Sequence, residues 1–156
     1  MASSVTVQLS GLDEILRNID SVAKLEGLQA AMLAAGTHVK GKVDKYPRAT
    51  EANSPEQKRW YERGYGPRWR RKDGSMGGRK TSEMLNRSWS IALRDSGNTL
   101  VVGSHASYSP YVHDRDKQAE FHKRRGWITI QAVGEQEAPV IIKFVADYMR
   151  RKFGMQ

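Results

Sequence analysis

The chain has 156 residues, 38% of them hydrophobic, with a mean hydropathy of −0.67. That is the size of one domain, able to bury a single modest core while leaving much polar surface. The absence of cysteine excludes disulfides and thiolate metal sites, and the net charge of +9 favours a polyanionic partner: nucleic acid, anionic lipid or an acidic protein face.

The N-terminus MASSVTVQLSGLDE carries neither a basic n-region nor an apolar h-region, so no secretory signal is expected. No apolar run approaches the roughly 20 residues that span a bilayer, so no membrane partner is expected. Val5, Val7 and Leu9 alternate with Thr6 and Gln8, the period of a short half-buried strand. After Gly11, the spacing of Leu12, Ile15, Leu16 and Ile19 is that of a short amphipathic helix, with Asp13 and Glu14 suited to its first turn. A longer helix is predicted from Leu25 to about Tyr46 through Leu28, Met32, Ala35, Val39 and Val43. Pro47 stops it, because proline cannot continue the hydrogen-bond ladder.

Residues 47–80 lack apolar periodicity. They carry ten Lys or Arg against four acids, a net +6, in about a fifth of the chain. A stretch of this length and composition reads as a flexible arm or extended hairpin that orders on a partner. Order then returns. Thr81 or Ser82 is placed to cap the short helical turn TSEMLNRS. Residues 88–103 read as a β-hairpin: Trp89, Ile91 and Leu93, the turn cluster Asp95-Ser96-Gly97-Asn98, then Leu100-Val101-Val102. Within YSPYVHDRDKQAEFHKRRGW, Tyr108 to Val112 reads as the end of the hairpin region, with Tyr111 or Val112 facing the core and Pro110 at an edge or bend. His113 to Arg125 reads as a charged loop leading into the last helical region at Trp127. Pro139 suits a first helical turn, and Val140, Ile141, Phe144, Val145, Tyr148, Met149 and Phe153 form the apolar face of a C-terminal helix. These elements make an α+β fold: a small antiparallel sheet packed by two substantial helices, with a long basic arm or extended hairpin inserted in a single domain.

No catalytic spacing stands out. His105, His113 and His122 lie eight and nine apart, unlike the i, i+4 pair of zinc hydrolases, and there is no G-x-S-x-G elbow or phosphate-binding glycine loop. No catalytic, cofactor-binding or metal-ligating residues are expected. Two clusters remain as contact candidates. In the arm, Arg59, Trp60, Tyr61, Arg63, Tyr65, Arg68, Trp69, Arg70 and Arg71 interleave cations with rings, a composition that suits nucleic-acid contact and protein hot spots equally. In the later stretch, His113, Asp114, Arg115, Asp116, Phe121, His122 and Arg124 read as a subunit contact.

Three segments, in order, resemble one family. They are VTVQLSGLDEILRNID; TSEMLNRSWSI, similar to a pattern in which Thr-Gly precedes a Leu and a Ser-Trp opens a strand; and VVGSHASYSPYVHD, similar to a hairpin return ending Tyr-Ala-x-Tyr-Val. In the third, Gly103, Tyr108, Pro110, Tyr111 and Val112 hold the matching positions. The family is that of the small neck or tail-completion (head–tail joining) proteins of long-tailed bacteriophages and prophages. Ser82 stands where the family has Gly, and HDRD follows Tyr-Val where Glu-x-Gly-Thr is usual.

The resemblance implies a virion structural protein without enzymatic activity, assembled in the host cytoplasm. It implies a homo-oligomeric ring of six or twelve subunits at the head–tail junction, or one that completes the tail before joining. Its neighbours would be head-closure or connector proteins and tail-terminator or tail-tube proteins, and DNA would pass through its channel, with non-specific contact there. The alternative reading is a small basic nucleic-acid-binding protein.

Overall fold

The computed structural model describes residues 4–7 and 22–153, with side chains described for 27–151. The helix expected at Leu12–Ile19 lies outside the described residues. Strands are β1 (Ser4–Val7), β2 (Trp60–Glu62), β3 (Tyr65–Arg70), β4 (Met76–Gly77), β5 (Trp89–Arg94) and β6 (Thr99–Ser104). Helices are α1 (Val22–Val43), α2 (Met84–Arg87), α3 (Pro110–His113), α4 (Glu120–Arg124) and α5 (Ile130–Phe153). The fold is mixed α+β, as expected, with two substantial helices, α1 and α5, and two small antiparallel sheets.

The first sheet has the order β1-β6-β5. The hairpin register sets Trp89 opposite Ser104, Ile91 opposite Val102 and Leu93 opposite Leu100, so the last two are apolar pairs across the strands and Trp89 shares their face. Its turn runs through three consecutive positive-φ residues, Asp95, Ser96 and Gly97. On this sheet lies α1, and α5 packs along α1. The expected stripe of α1 is the buried one: Leu28, Met32, Ala35, Val39 and Val43 are each at most 2% exposed. They meet Leu100 and Val102 of the sheet and Ile130, Val133, Ile141, Val145 and Met149 of α5. Gly36 has a packing reason: a Cβ there would lie 2.8 Å from Ile91 Cγ2 and 2.9 Å from Leu100 Cδ1, so its absence lets the helix ride close to the hairpin. Glu137 ties the two helices by accepting from His38 Nε2 at 2.6 Å and Lys42 Nζ at 2.9 Å. These bonds hold its carboxyl below the usual range, His38 contributing most.

Four sequence expectations need correction. The charged loop expected over His113 to Arg125 contains helix α4. Pro139 is not in a first turn but inside α5, which starts nine residues earlier. There the Thr129 hydroxyl accepts from the Ala132 N–H at 3.2 Å, supplying the helix cap. The helix tolerates the lost bond at Pro139 because Val133 and Ile141, on either side of it, are anchored in the core. The turn at α2 is capped by neither Thr81 nor Ser82; Glu83 precedes it in the left-handed conformation, with no side-chain cap. Pro110 belongs to no strand: the hairpin ends at Ser104, and Pro110 opens helix α3, where a missing N–H costs nothing. Of the two core candidates beside it, Val112 is buried and Tyr111 is 59% exposed.

Candidate functional site

Residues 47–80 carry a sheet of their own, of order β2-β3-β4. Arg63-Gly64 makes the tight β2–β3 turn, with Gly64 at φ 79° supplying the conformation that other residues avoid. Asn53, only 2% exposed, fixes the entrance to β2. Its Nδ2 donates to the Tyr61 carbonyl at 2.9 Å and its Oδ1 accepts from the Tyr61 N–H at 2.7 Å. A side-chain amide thus pairs with a strand residue as a neighbouring strand would.

This sheet joins the 108–127 stretch through a second core of Leu85, Ala106, Val112 and Trp127, with Tyr46 and Tyr61 against it. The Tyr61 ring lies 5.2 Å from Trp127, 5.6 Å from His122 and 5.9 Å from Phe121. Tyr61 Oη and His122 Nδ1 are 3.0 Å apart. Burial pushes the Tyr61 phenol up to about 12 and pushes His122 down from its ordinary value. Both groups are therefore neutral at pH 7, and the bond joins two uncharged partners. Gln118 closes the loop between α3 and α4, its Nε2 donating to the carbonyls of Val112 at 2.7 Å and Trp127 at 2.8 Å.

His113 connects this core to the first. Its Nδ1 bonds the Ile128 carbonyl at 2.7 Å, and its ring meets Trp89 edge-on at 5.2 Å and Trp127 at 5.4 Å. Burial lowers its pKa to about 4, so the ring is neutral and Nδ1 carries the donated proton.

The two clusters separated in sequence therefore meet, but not all their members face outward. His113 is 1% exposed and Trp60 is 5% exposed; both are core residues here, which removes them from the contact candidates. Tyr61, Tyr65, Arg68, Asp114, Phe121 and His122 are half-buried. Arg68 pairs with Glu62 and lies 4.3 Å from the Tyr65 ring centroid, so it is committed within the sheet. Arg59, Arg63, Trp69, Arg70, Arg71, Arg115, Asp116 and Arg124 are exposed. Of these, Arg63 reaches Glu83 at 3.6 Å, Arg115 reaches Glu135 at 2.7 Å and Arg124 reaches Glu120 at 3.9 Å; exposed pairs of this kind hold little energy.

Where the sheet, α2 and α3 meet there is a cavity of about 360 Å³, floored by Tyr46, Tyr61 and Trp127. Its rim includes three exposed apolar side chains, Met84 (56%), Tyr108 (45%) and Tyr111 (59%). Sequence reading passed over Met84 and Tyr46, as well as Asn53, Gln118 and Arg125. The tyrosines had a compositional signal; a single Asn in a polar stretch had none. Among the described residues, no three His, Asp or Glu side chains are grouped so that they could hold a metal ion, and no helix is long and apolar enough to cross a membrane. Compared with protein-family models, curated proteins and solved structures, the chain matches none.

Proposed function

We propose that this chain is a structural protein of the bacteriophage neck, which forms a ring at the head–tail junction or completes the tail and joins it to the head. One observation carries the reading. Of the three segments that resemble the neck and tail-completion family, the first stands well apart in sequence from the other two, yet together they contribute β1, β5 and β6, the three strands of one sheet. That shared sheet supports reading the segments as parts of one structural unit.

The role is assembly rather than catalysis, with a ring of six or twelve copies between connector and tail proteins and a channel for DNA. A ring subunit must offer a surface to its next copy, and a head-to-tail contact closes only by rotation. Met84, Tyr108 and Tyr111 around an aromatic-floored cavity fit that need, since tyrosine is enriched where interfaces hold most of their energy. In this reading the occupant is a second copy of the chain.

The test is a phage lacking this chain. Unjoined heads and tails, rescued by supplying the chain and accompanied by its detection in purified virions, are expected. Joined, infectious particles without it, or its detection in infected cytosol alone, would sink the proposal. Tyr111→Glu, exposed and outside both cores, should block ring formation while the chain stays folded.

A further inference from the structure

Eight cations line three adjoining depressions, each sharing residues with the next. Lys42, Lys45, Arg48 and Arg125 line the first. Arg125 continues into the second, joined there by Arg124, Arg59 and Lys58. Lys58 and Arg59 continue into the third, with Arg70 and Trp69. The residues come from α1 and the turn after it, the arm, and α4 with its end, so folding builds a track that no single run of sequence contains.

Carboxylates are scarce along it. Glu137, in the first depression, is bonded to His38 and Lys42; Glu56, in the third, is hydrogen-bonded to Ser54; the second has none. Lys45, Arg48, Lys58 and Arg59 make no ion pair among the described residues. Arg125 is held in place, its Nη1 donating to the Ala52 carbonyl at 3.2 Å and Gln57 Oε1 at 2.9 Å.

Aromatic rings lie along the track, each with neighbours already against it. The Arg59 guanidinium sits 5.8 Å from the Trp69 ring centroid. Gly77 presses on the same indole so closely that a Cβ would come within 2.4 Å of it. Phe121 has Arg125 at 5.4 Å and Tyr61 at 5.9 Å. Binding of single strands stacks bases on free ring faces; Trp69 is 37% exposed but has Arg59 and Gly77 against it, and Phe121 has Arg125 and Tyr61. What remains is a continuous row of cations, suited to a partner whose negative charges also run on in a line.

We infer that this track holds the phosphate backbone of double-stranded DNA, without reading its sequence. The choice of duplex DNA as the polyanion rests on the neck reading, which puts packaged DNA in the channel; the binding itself is a property of the free chain. Duplex DNA presents about one charge per 1.7 Å of axis, and each neutralised phosphate adds about −0.9 to the slope of log affinity against log salt.

The experiment titrates the full chain against a labelled duplex of roughly 30 base pairs over a range of salt. With about six phosphates engaged, affinity should fall about 10³-fold between about 50 and 200 mM salt. Lys58→Ala/Arg59→Ala/Arg124→Ala removes three exposed track cations and should flatten the slope by about three. Arg87→Ala/Arg94→Ala/Lys117→Ala removes as much charge from exposed positions off the track and should leave the slope unchanged. Equal loss in both triples would make the effect one of net charge and overturn the track. So would absence of duplex binding at low salt, or tighter binding of oligo-dT than of duplex. Polyglutamate competing as well as duplex at equal charge would point to an acidic protein partner and overturn the inference too. A chain that joins heads to tails but binds no duplex defeats only the track; one that binds duplex but is absent from virions defeats only the neck reading.

Discussion

The two cores of this molecule are built on different principles. The first, between α1, α5 and the β1-β6-β5 sheet, is mostly aliphatic and repeats with the period of its helices and strands. The second, around Trp127, is small and ringed by aromatics, and it depends on single polar contacts: the Asn53 amide, the Tyr61–His122 bond and Gln118 between two carbonyls. An aliphatic stripe spreads its stabilisation over many interchangeable contacts. A polar-pinned aromatic cluster concentrates it, because each buried donor or acceptor left unpaired costs about 1–3 kcal/mol.

The most severe break in the comparison is Trp127→Ala. Removing a buried indole costs about 3–5 kcal/mol, and here it takes the centre from the second core. Hydrogen exchange should show β2, β3 and β4 losing protection while α1, β5 and β6 retain theirs. Loss of protection everywhere at once would mean that the two cores are one cooperative unit.

Acid tests the joint between them. His113 has its pKa depressed to about 4 by burial, so above its ordinary 6.5 its neutral state contributes full stability. As pH falls from 6.5 towards 4, the unfolded chain takes up a proton that the folded chain refuses. Stability then declines by up to about 1.4 kcal/mol per pH unit, on the order of 3 kcal/mol in all. His122, also depressed by burial, acts in the same direction. Glu137 and Asp147, both held low by hydrogen bonds, add their losses only below the ordinary carboxylate range. Denaturant midpoints measured from pH 7 to 4.5 should fall in the native chain and fall much less in His113→Phe. An equal fall in both would remove His113 as the source.

The sequence made the first core legible because burial there follows a period. Leu28 through Val43 and the alternation of β5 and β6 are patterns that only a helix and a hairpin produce. Helical residues are legible from Trp127 on, but Pro139 is a strong local signal for a first turn, and the packing of Val133 and Ile141 on either side of it overrides that signal. In the second core no period exists to read. Composition marked Trp60, Tyr61 and His113; folding buries Trp60 and His113, sets His113 on the Ile128 carbonyl and leaves Tyr61 half-buried on the cavity floor. The basic track was half visible, as arm arginines; Lys42, Lys45, Arg48 and Arg125 join it only through folding.

Asn53→Ala should cost about 1–3 kcal/mol, since it leaves the Tyr61 N–H and carbonyl without their partner inside the protein. Asn53→Asp keeps an acceptor for the N–H but sets a buried carboxylate against the Tyr61, Pro47 and Arg48 carbonyls that Nδ2 serves, so it should be no more stable than Ala. Urea melts that place Asp above Ala would show that the N–H bond outweighs that repulsion. Equal stability of Asn53→Ala and the native chain would show that water replaces the amide.

The smallest effects come from two glycines of α1, and they should have opposite signs. A Cβ added at Gly41 would meet nothing within 4 Å, so Gly41→Ala faces no obstacle and reduces the freedom of the unfolded chain, a gain of about 0.5–1 kcal/mol. Gly36→Ala gains the same helical propensity but drives a methyl to 2.8 Å from Ile91 and 2.9 Å from Leu100. Relief requires the hairpin to move, and overpacking of that kind costs about 1 kcal/mol or more, which reverses the sign. Thermal melts of the two variants compare the same substitution in one helix, with only the neighbouring sheet changed. If both stabilise, the first core is loose enough to yield by a few tenths of an ångström, and its contrast with the pinned second core narrows. If only Gly41→Ala stabilises, the helix is seated on the hairpin as tightly as its geometry indicates.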